Sequence, residues 1–235
     1  MAAWSLLDVA DLDASSAAWL PVYVDLMRSR YAMSQRLAQR YLDRYRAVEM
    51  PSGEAVTATP AFDTAQAYTS ARIAGPITVK ALIGRGVEPE RALVAVRGPL
   101  ALRAQKWALN GGRRTVVESA RATRGATWRR VSDGSPCAFC AMLVSRSLVH
   151  SASYRQPPDF KAHPKCGCTA EEVYGPTEPT EVERAWIDAY DQAAGQARAA
   201  GEPVVAPTRR NGRDTVLWRM RRNRPDLFHD GVLAH

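Results

Sequence analysis

Lysine is almost missing from this chain of 235 residues. Four lysines (Lys80, Lys106, Lys161 and Lys165) stand beside 28 arginines, within 32 basic and 24 acidic side chains and a formal charge of +8. No apolar stretch approaches the ~18–20 residues a membrane span needs, so no membrane partner is expected. The opening segment MAAWSLLDVADLD is acidic where a secretory signal would be basic, so no export signal is expected. No cysteine lies before Cys137 or after Cys168, and the histidines are His150, His163, His229 and His235. H-E-x-x-H is absent, which excludes a zincin, and so is the G-x-S-x-G nucleophile elbow. The apolar fraction of 46% and charged fraction of 24% are those of a globular chain, not a disordered or collagen-like one.

What is present is mainly helical. Residues 15–49 read as one long helix, with Ser15 or Ser16 as its cap and Pro21 tolerable near its first turn. Trp19, Tyr23, Leu26, Met33, Leu37 and Tyr41 recur along it at mostly helical spacing. Its other face carries arginines from Arg28 to Arg46, read as a solvated surface or as contact with DNA or an acidic partner. Helices are expected at 62–73, 76–83 and 88–96, then from Leu100 to Leu109, with Gly98-Pro99 a break or kink. Asn110-Gly111-Gly112 reads as a stop, and Arg113–Arg121 as helix again. Trp19, Tyr41, Trp107 and Trp186 are expected in core or helix–helix contacts. A short strand is predicted at Thr127–Val131, a helix at Ala138–Ser145, irregular structure over 147–174 and helices at Thr180–Arg198 and Thr215–Arg222. The last eleven residues are expected to fray.

The chemistry concentrates in one constellation, Cys137-x-x-Cys140 followed by His163-x-x-Cys166-x-Cys168. Without an export signal a reducing compartment is expected, and clustered cysteines there bind metal more often than they pair as disulfides. A C-x-x-C turn offers two thiolates to one ion, and tetrahedral zinc needs two more ligands. Five candidates serve four positions: Cys137, Cys140 and His163 are favoured, with the fourth open between Cys166 and Cys168. Pro136-Cys137-x-x-Cys140 matches half of the zinc-deaminase signature, but its H-x-E half must come earlier and every histidine comes later. A closed structural site is therefore expected.

The run Arg130-Val-Ser-Asp-Gly-Ser-Pro-Cys-Ala-Phe-Cys-Ala-Met-Leu143, with His163-Pro-Lys-Cys-Gly-Cys168, closely resembles the MuF-like head morphogenesis (minor capsid) proteins of tailed phages, especially those of actinobacterial hosts. Asn110-Gly111-Gly112-Arg113 and the following helix are similar too, so the likeness covers roughly residues 95–175. Many relatives carry Arg between the last two cysteines, where this chain has Gly167. The resemblance implies a protein that joins the procapsid beside the portal protein in the host cytoplasm and stays in the virion head interior near the portal. It implies contacts with the major capsid or scaffold protein, and in some members non-specific contact with packaged double-stranded DNA. Actinophage members of this family are commonly labelled capsid maturation proteases.

The expected fold class is α+β, predominantly α: a long N-terminal helical arm, a small zinc-knuckle domain and a basic helical C-terminal tail. The expected boundaries are 1–60 for the arm, 61–124 for a helical region packing on the core, 125–178 for the Cys/His region and 179–235 for the last helix and tail. Trp19, Tyr23, Leu26, Met33, Leu37 and Tyr41 are the candidate portal-docking residues. Arg209, Arg210, Arg213, Arg219, Arg221, Arg222 and Arg224, with Asp214 the one acid among them, are candidates for phosphate or acidic-partner contact. A serine protease would need His150 or His163 as base, and His163 is expected on metal. The leading expectation is an assembly protein without catalytic residues; a capsid maturation (prohead) protease and a zinc-stabilised DNA-binding module are the alternatives.

Overall fold

The computed structural model describes residues 6–50, 53–149, 160–163, 165–202, 204 and 216–230. It is mostly helical with one small antiparallel sheet, as the sequence predicts. Two compact units are present: Met1–Tyr45 with Thr57–Thr115 and Ala162–Lys165, and Arg46–Val56 with Val116–Lys161 and Cys166–His235. Among the described residues no helix is long and apolar enough to cross a membrane.

Helix α1 spans Leu12–Glu49. It starts before the expected serines because the Asp11 carboxylate accepts the Ala14 N–H at 3.2 Å. Pro21 therefore lies inside the helix, not near its first turn. Helix α2 (Thr64–Arg72) is capped by Asp63, whose carboxylate accepts the Gln66 N–H at 2.8 Å. A π-helical turn at Ile73–Ile77 absorbs Gly75-Pro76 and leads into α3, Thr78–Ile83. Helix α4 then runs unbroken from Pro89 to Ala122. The Glu88 carboxylate accepts the Glu90 and Arg91 N–H groups at its start, and those bonds hold its pKa below the ordinary carboxylate value.

Two expected interruptions of α4 do not occur. Pro99 and Ala95, whose carbonyl Pro99 leaves unbonded, are both exposed, so solvent can take the place of the missing bond. Gly111 and Gly112 are not a stop but a notch. A Cβ at Gly111 would stand 2.9 Å from the Tyr31 carbonyl carbon, and at Gly112 2.9 Å from Ser34 Oγ. Only glycine permits α1 and α4 this approach.

The core of the first unit gathers Trp19, Met27, Val79, Val96 and Leu100, each at most 1% exposed. Burying each such side chain contributes about 1.5–3 kcal/mol. Trp19 stacks on Tyr23 with centroids 4.8 Å apart. The Tyr23 hydroxyl donates to the Leu100 carbonyl at 2.6 Å, and burial pushes its pKa up to about 12.

In the second unit, β1 (Ala126–Val131) pairs with β2 (Thr169–Tyr174), placing Arg129 opposite Glu171 and Arg130 opposite Ala170. Strand β2 falls where no regular element is expected. Helices α5 (Ala138–Val149), α6 (Glu181–Ala199) and α7 (Val216–Asn223) pack around Val144, Trp186, Tyr190 and Met220. Thr180 and Glu183 form a reciprocal capping box on α6. The expected fraying at the end is not seen in the described part: Pro225–Leu227 is a 3₁₀ turn and Phe228 is buried in this core.

Arg46 is not part of a solvated basic face. Its guanidinium is buried and grips Glu172 through two bonds of 2.6 and 2.7 Å, with further bonds to the Val56 carbonyl and Thr123 Oγ1. Tyr174 donates to the same carboxylate at 2.7 Å; burial and that bond raise its pKa to about 12. The Glu172 bond in turn raises the pKa of Arg46.

Removing one partner of such a buried pair leaves an uncompensated charge. Arg46→Met should therefore cost about 3–5 kcal/mol in urea denaturation, and Arg46→Met with Glu172→Leu should recover most of it. Gly111→Ala, which in an open helix would add up to ~1 kcal/mol, should instead cost about 1–3 kcal/mol in the same measurement, because its methyl meets Tyr31 backbone.

Candidate metal centre

The C-x-x-C lies at the entry of α5. Gly134, at φ +94, supplies the left-handed turn after β1 that only glycine adopts freely. The Cys140 N–H then points at Cys137 Sγ, 3.4 Å away, so the first thiol doubles as a helix cap. The next orphan donor, the Ala138 N–H, is taken by Asp230 Oδ1 at 2.8 Å. Asp230 is held by Arg221 at 2.7 Å, and the His229 N–H donates to the Pro136 carbonyl at 3.2 Å. Cys166 and Cys168 sit on the loop entering β2, so strand pairing delivers both to the same place.

The ligand atoms form two overlapping triads, Cys137–Cys140–His163 and Cys140–Cys166–Cys168, each with its atoms within 4.8 Å of one another. Cys140 belongs to both, and its sulfur lies 3.6 Å from that of Cys166. Neither Cys166 nor Cys168 stands apart. All four thiols are 1–5% exposed, whereas His163 is half-buried. Hydrogen bonding from Cys137, with that of Cys166 and Cys168 and with burial, pushes the Cys140 thiol up. The bond with Cys140 pulls the Cys168 thiol down, but Cys166 and burial outweigh it and raise that thiol to about 11. Each triad has the spacing and the donor types to hold a metal ion.

Sequence reading missed Arg130. It is 4% exposed, donates to the Lys161 carbonyl at 2.6 Å, lies 3.8 Å from the Phe160 ring centroid and points Nη1 at Cys166 Sγ, 3.8 Å away. No carboxylate among the described residues pairs with it. Its signal was a charged residue at a buried position of an alternating strand, visible only once β1's inner face is known. A Cβ at Gly167 would meet the carboxylate of Asp133 in the turn after β1, an exposed side chain that would have to move aside.

The docking residues divide. Trp19 and Tyr23 are buried in the core of the first unit, whereas Leu26, Met33, Leu37 and Tyr41 are 39–60% exposed. Tyr41 is thus not a core contact, unlike Trp107 and Trp186. Of the tail arginines, Arg219 pairs with Glu202, Arg221 with Asp230 and Arg224 with Asp226, each within 2.8 Å. Acids from beyond the run therefore do the neutralising that Asp214 cannot. Arg222 lies over Trp218 at 5.2 Å. Arg209, Arg210, Arg213 and His150 lie outside the described residues.

A mostly helical protein with a small antiparallel sheet and a Cys/His cluster compatible with a metal knuckle is what these features define. The chain belongs to the VG15 protein family, whose model matches residues 1–193; the family is phage-associated. Searches of the curated proteins and of the solved structures found no match.

Asp230→Ala removes the cap of α5 beside the thiols. It should cost about 0.5–2 kcal/mol, read as a lower thermal midpoint, with Asp230→Asn losing less because the amide oxygen still accepts.

Proposed function

We propose that this chain is a head morphogenesis (minor capsid) protein that associates with the portal protein during procapsid assembly in the host cytoplasm. It is then retained in the virion head, and its knuckle holds one structural zinc ion. Membership of a phage-associated family and the MuF-like motif support the assembly role. The zinc reading rests on one observation: three buried thiols gather on that of Cys140, and a buried arginine with no carboxylate partner among the described residues lies against them. Four thiolates on a divalent ion carry a formal charge of −2, and Arg130 is placed to offset part of it. Cys137, Cys140, Cys166 and Cys168 are the ligands in this reading, with His163 adjoining. The burial of all four thiols favours a structural over a catalytic ion.

The ion's contribution is to folding. Zinc-finger peptides draw on the order of 10 kcal/mol from the metal, enough to hold a region whose strands have only six residues each. The tail arginines that already hold acids favour a protein partner over packaged DNA.

Purified protein should contain about one zinc per chain, Cys140→Ser should lose it, and His163→Ala should keep it. Metal-stripped protein that retains its full thermal midpoint would overturn the zinc reading. Co-expression with the phage's portal, capsid and scaffold proteins tests the role: the chain should co-purify with portal, and intact mass should show uncut capsid and scaffold proteins. A new capsid N-terminus that appears only when this chain is present would replace the assembly reading with a maturation protease.

A further inference from the structure

Helix α1 carries a second apolar stripe that the fold does not use. Leu26, Met33, Leu37 and Tyr41 are 41, 43, 60 and 39% exposed. At about 100° per residue they fall within an arc of about 80°, so they form one face rather than scattered exposures. Arg30, Arg40 and Arg44 project within or at the edge of that arc, and all are exposed. No ion pair engages these three among the described residues. No acid shares the arc; Asp25, which pairs with Arg28 at 2.7 Å, and Asp43 both project about 80° outside it. At its C-terminal end Tyr41 and Tyr45 stack with centroids 5.5 Å apart, beside a shallow depression of about 540 Å³ lined by Leu37, Arg40, Tyr41, Arg44 and Tyr45.

We infer that this face of α1 is a docking surface for an acidic amphipathic helix of another protein, apolar along its seam and carrying carboxylates at its margins. Tyr, Met and Arg are the residues that protein interfaces enrich, and charge complementarity selects the partner. A second copy would set these arginines against their equals with no acid between them. Nucleic acid would satisfy the arginines but leave Leu37 and Met33 in water. A lipid surface wants its basic residues on the opposite face from the apolar ones, whereas Arg40 and Arg44 sit among them. The inference rests on the surface of α1 alone and holds whatever the partner's role in the virion.

The test uses the full chain and two labelled synthetic helices of about three heptads. Both have leucine at the seam; one has glutamate at the flanking positions and the other lysine. Fluorescence anisotropy should show the glutamate helix binding, with the lysine helix at least about tenfold weaker. Leu37→Asp with Tyr41→Asp should abolish binding. Arg40→Glu with Arg44→Glu should reverse the preference toward the lysine helix, a result that misfolding cannot produce. Equal binding of both helices, or none of the glutamate helix, overturns the inference. So does self-association that Leu37→Asp removes, or charge-dependent binding of duplex DNA or anionic vesicles in place of the glutamate helix.

Discussion

Four sulfurs and one guanidinium are buried together, and the local structure from β1 to β2 follows from making that arrangement tolerable. The two strands have only six residues each, so the sheet by itself offers this region little apolar burial. Arg130 cannot be there cheaply: a buried cation needs an anion, and its described partners are a carbonyl, a ring and a sulfur. Thiolates gathered on a metal ion, as proposed for this cluster, would answer that need. The strand register follows, because Arg130 must face the cysteines while Arg129, on the other side of β1, reaches Glu171 and Glu183. Asp133 and Gly167 fit the two knuckles to each other at a single close contact.

The positive charge has a different meaning once it is placed. Arg46 and Arg130 are interior, and Arg219, Arg221 and Arg224 hold acids of their own neighbourhood. These arginines are structural connectors that use the bidentate, always-ionised character of the guanidinium. The charge left for partners is that of exposed arginines such as those on α1. A high arginine count was therefore weak evidence of nucleic-acid contact in this chain.

Much of the architecture was legible. The long first helix, the strand after Gly125, the helix behind the C-x-x-C and the helix from Thr180 all follow from local pattern, and the cysteine spacing pointed to the cluster that the structure gathers. The errors share physical causes. Glycine pairs signal turns and close helix contacts alike, and only the Tyr31 backbone shows which operates at Gly111. Strand β2, TAEEVY, hides because its inner face carries Glu172, whose compensating Arg46 is 126 positions away. On α1 the buried residues run 12, 16, 19, 20, 23, 24, 27, 31, 35, 38, 42 and 46. Steps of four on a helix of 3.6 residues per turn make that face wind steadily around the axis. Trp19 and Tyr23 thus share a side with Leu37 and Tyr41 on a helical wheel, yet only the first two are covered.

The cap on α5 has a consequence for the order in which the chain matures. Asp230 lies 92 residues beyond the Ala138 N–H that it accepts. Synthesis is vectorial and proceeds at roughly 5–20 residues per second. The cysteines at 137 and 140 therefore leave the ribosome many seconds before their helix can be closed. Through that interval the nascent knuckle has its thiols in hand but not its cap, and metal capture, not the C-terminal clasp, is the earlier event open to it.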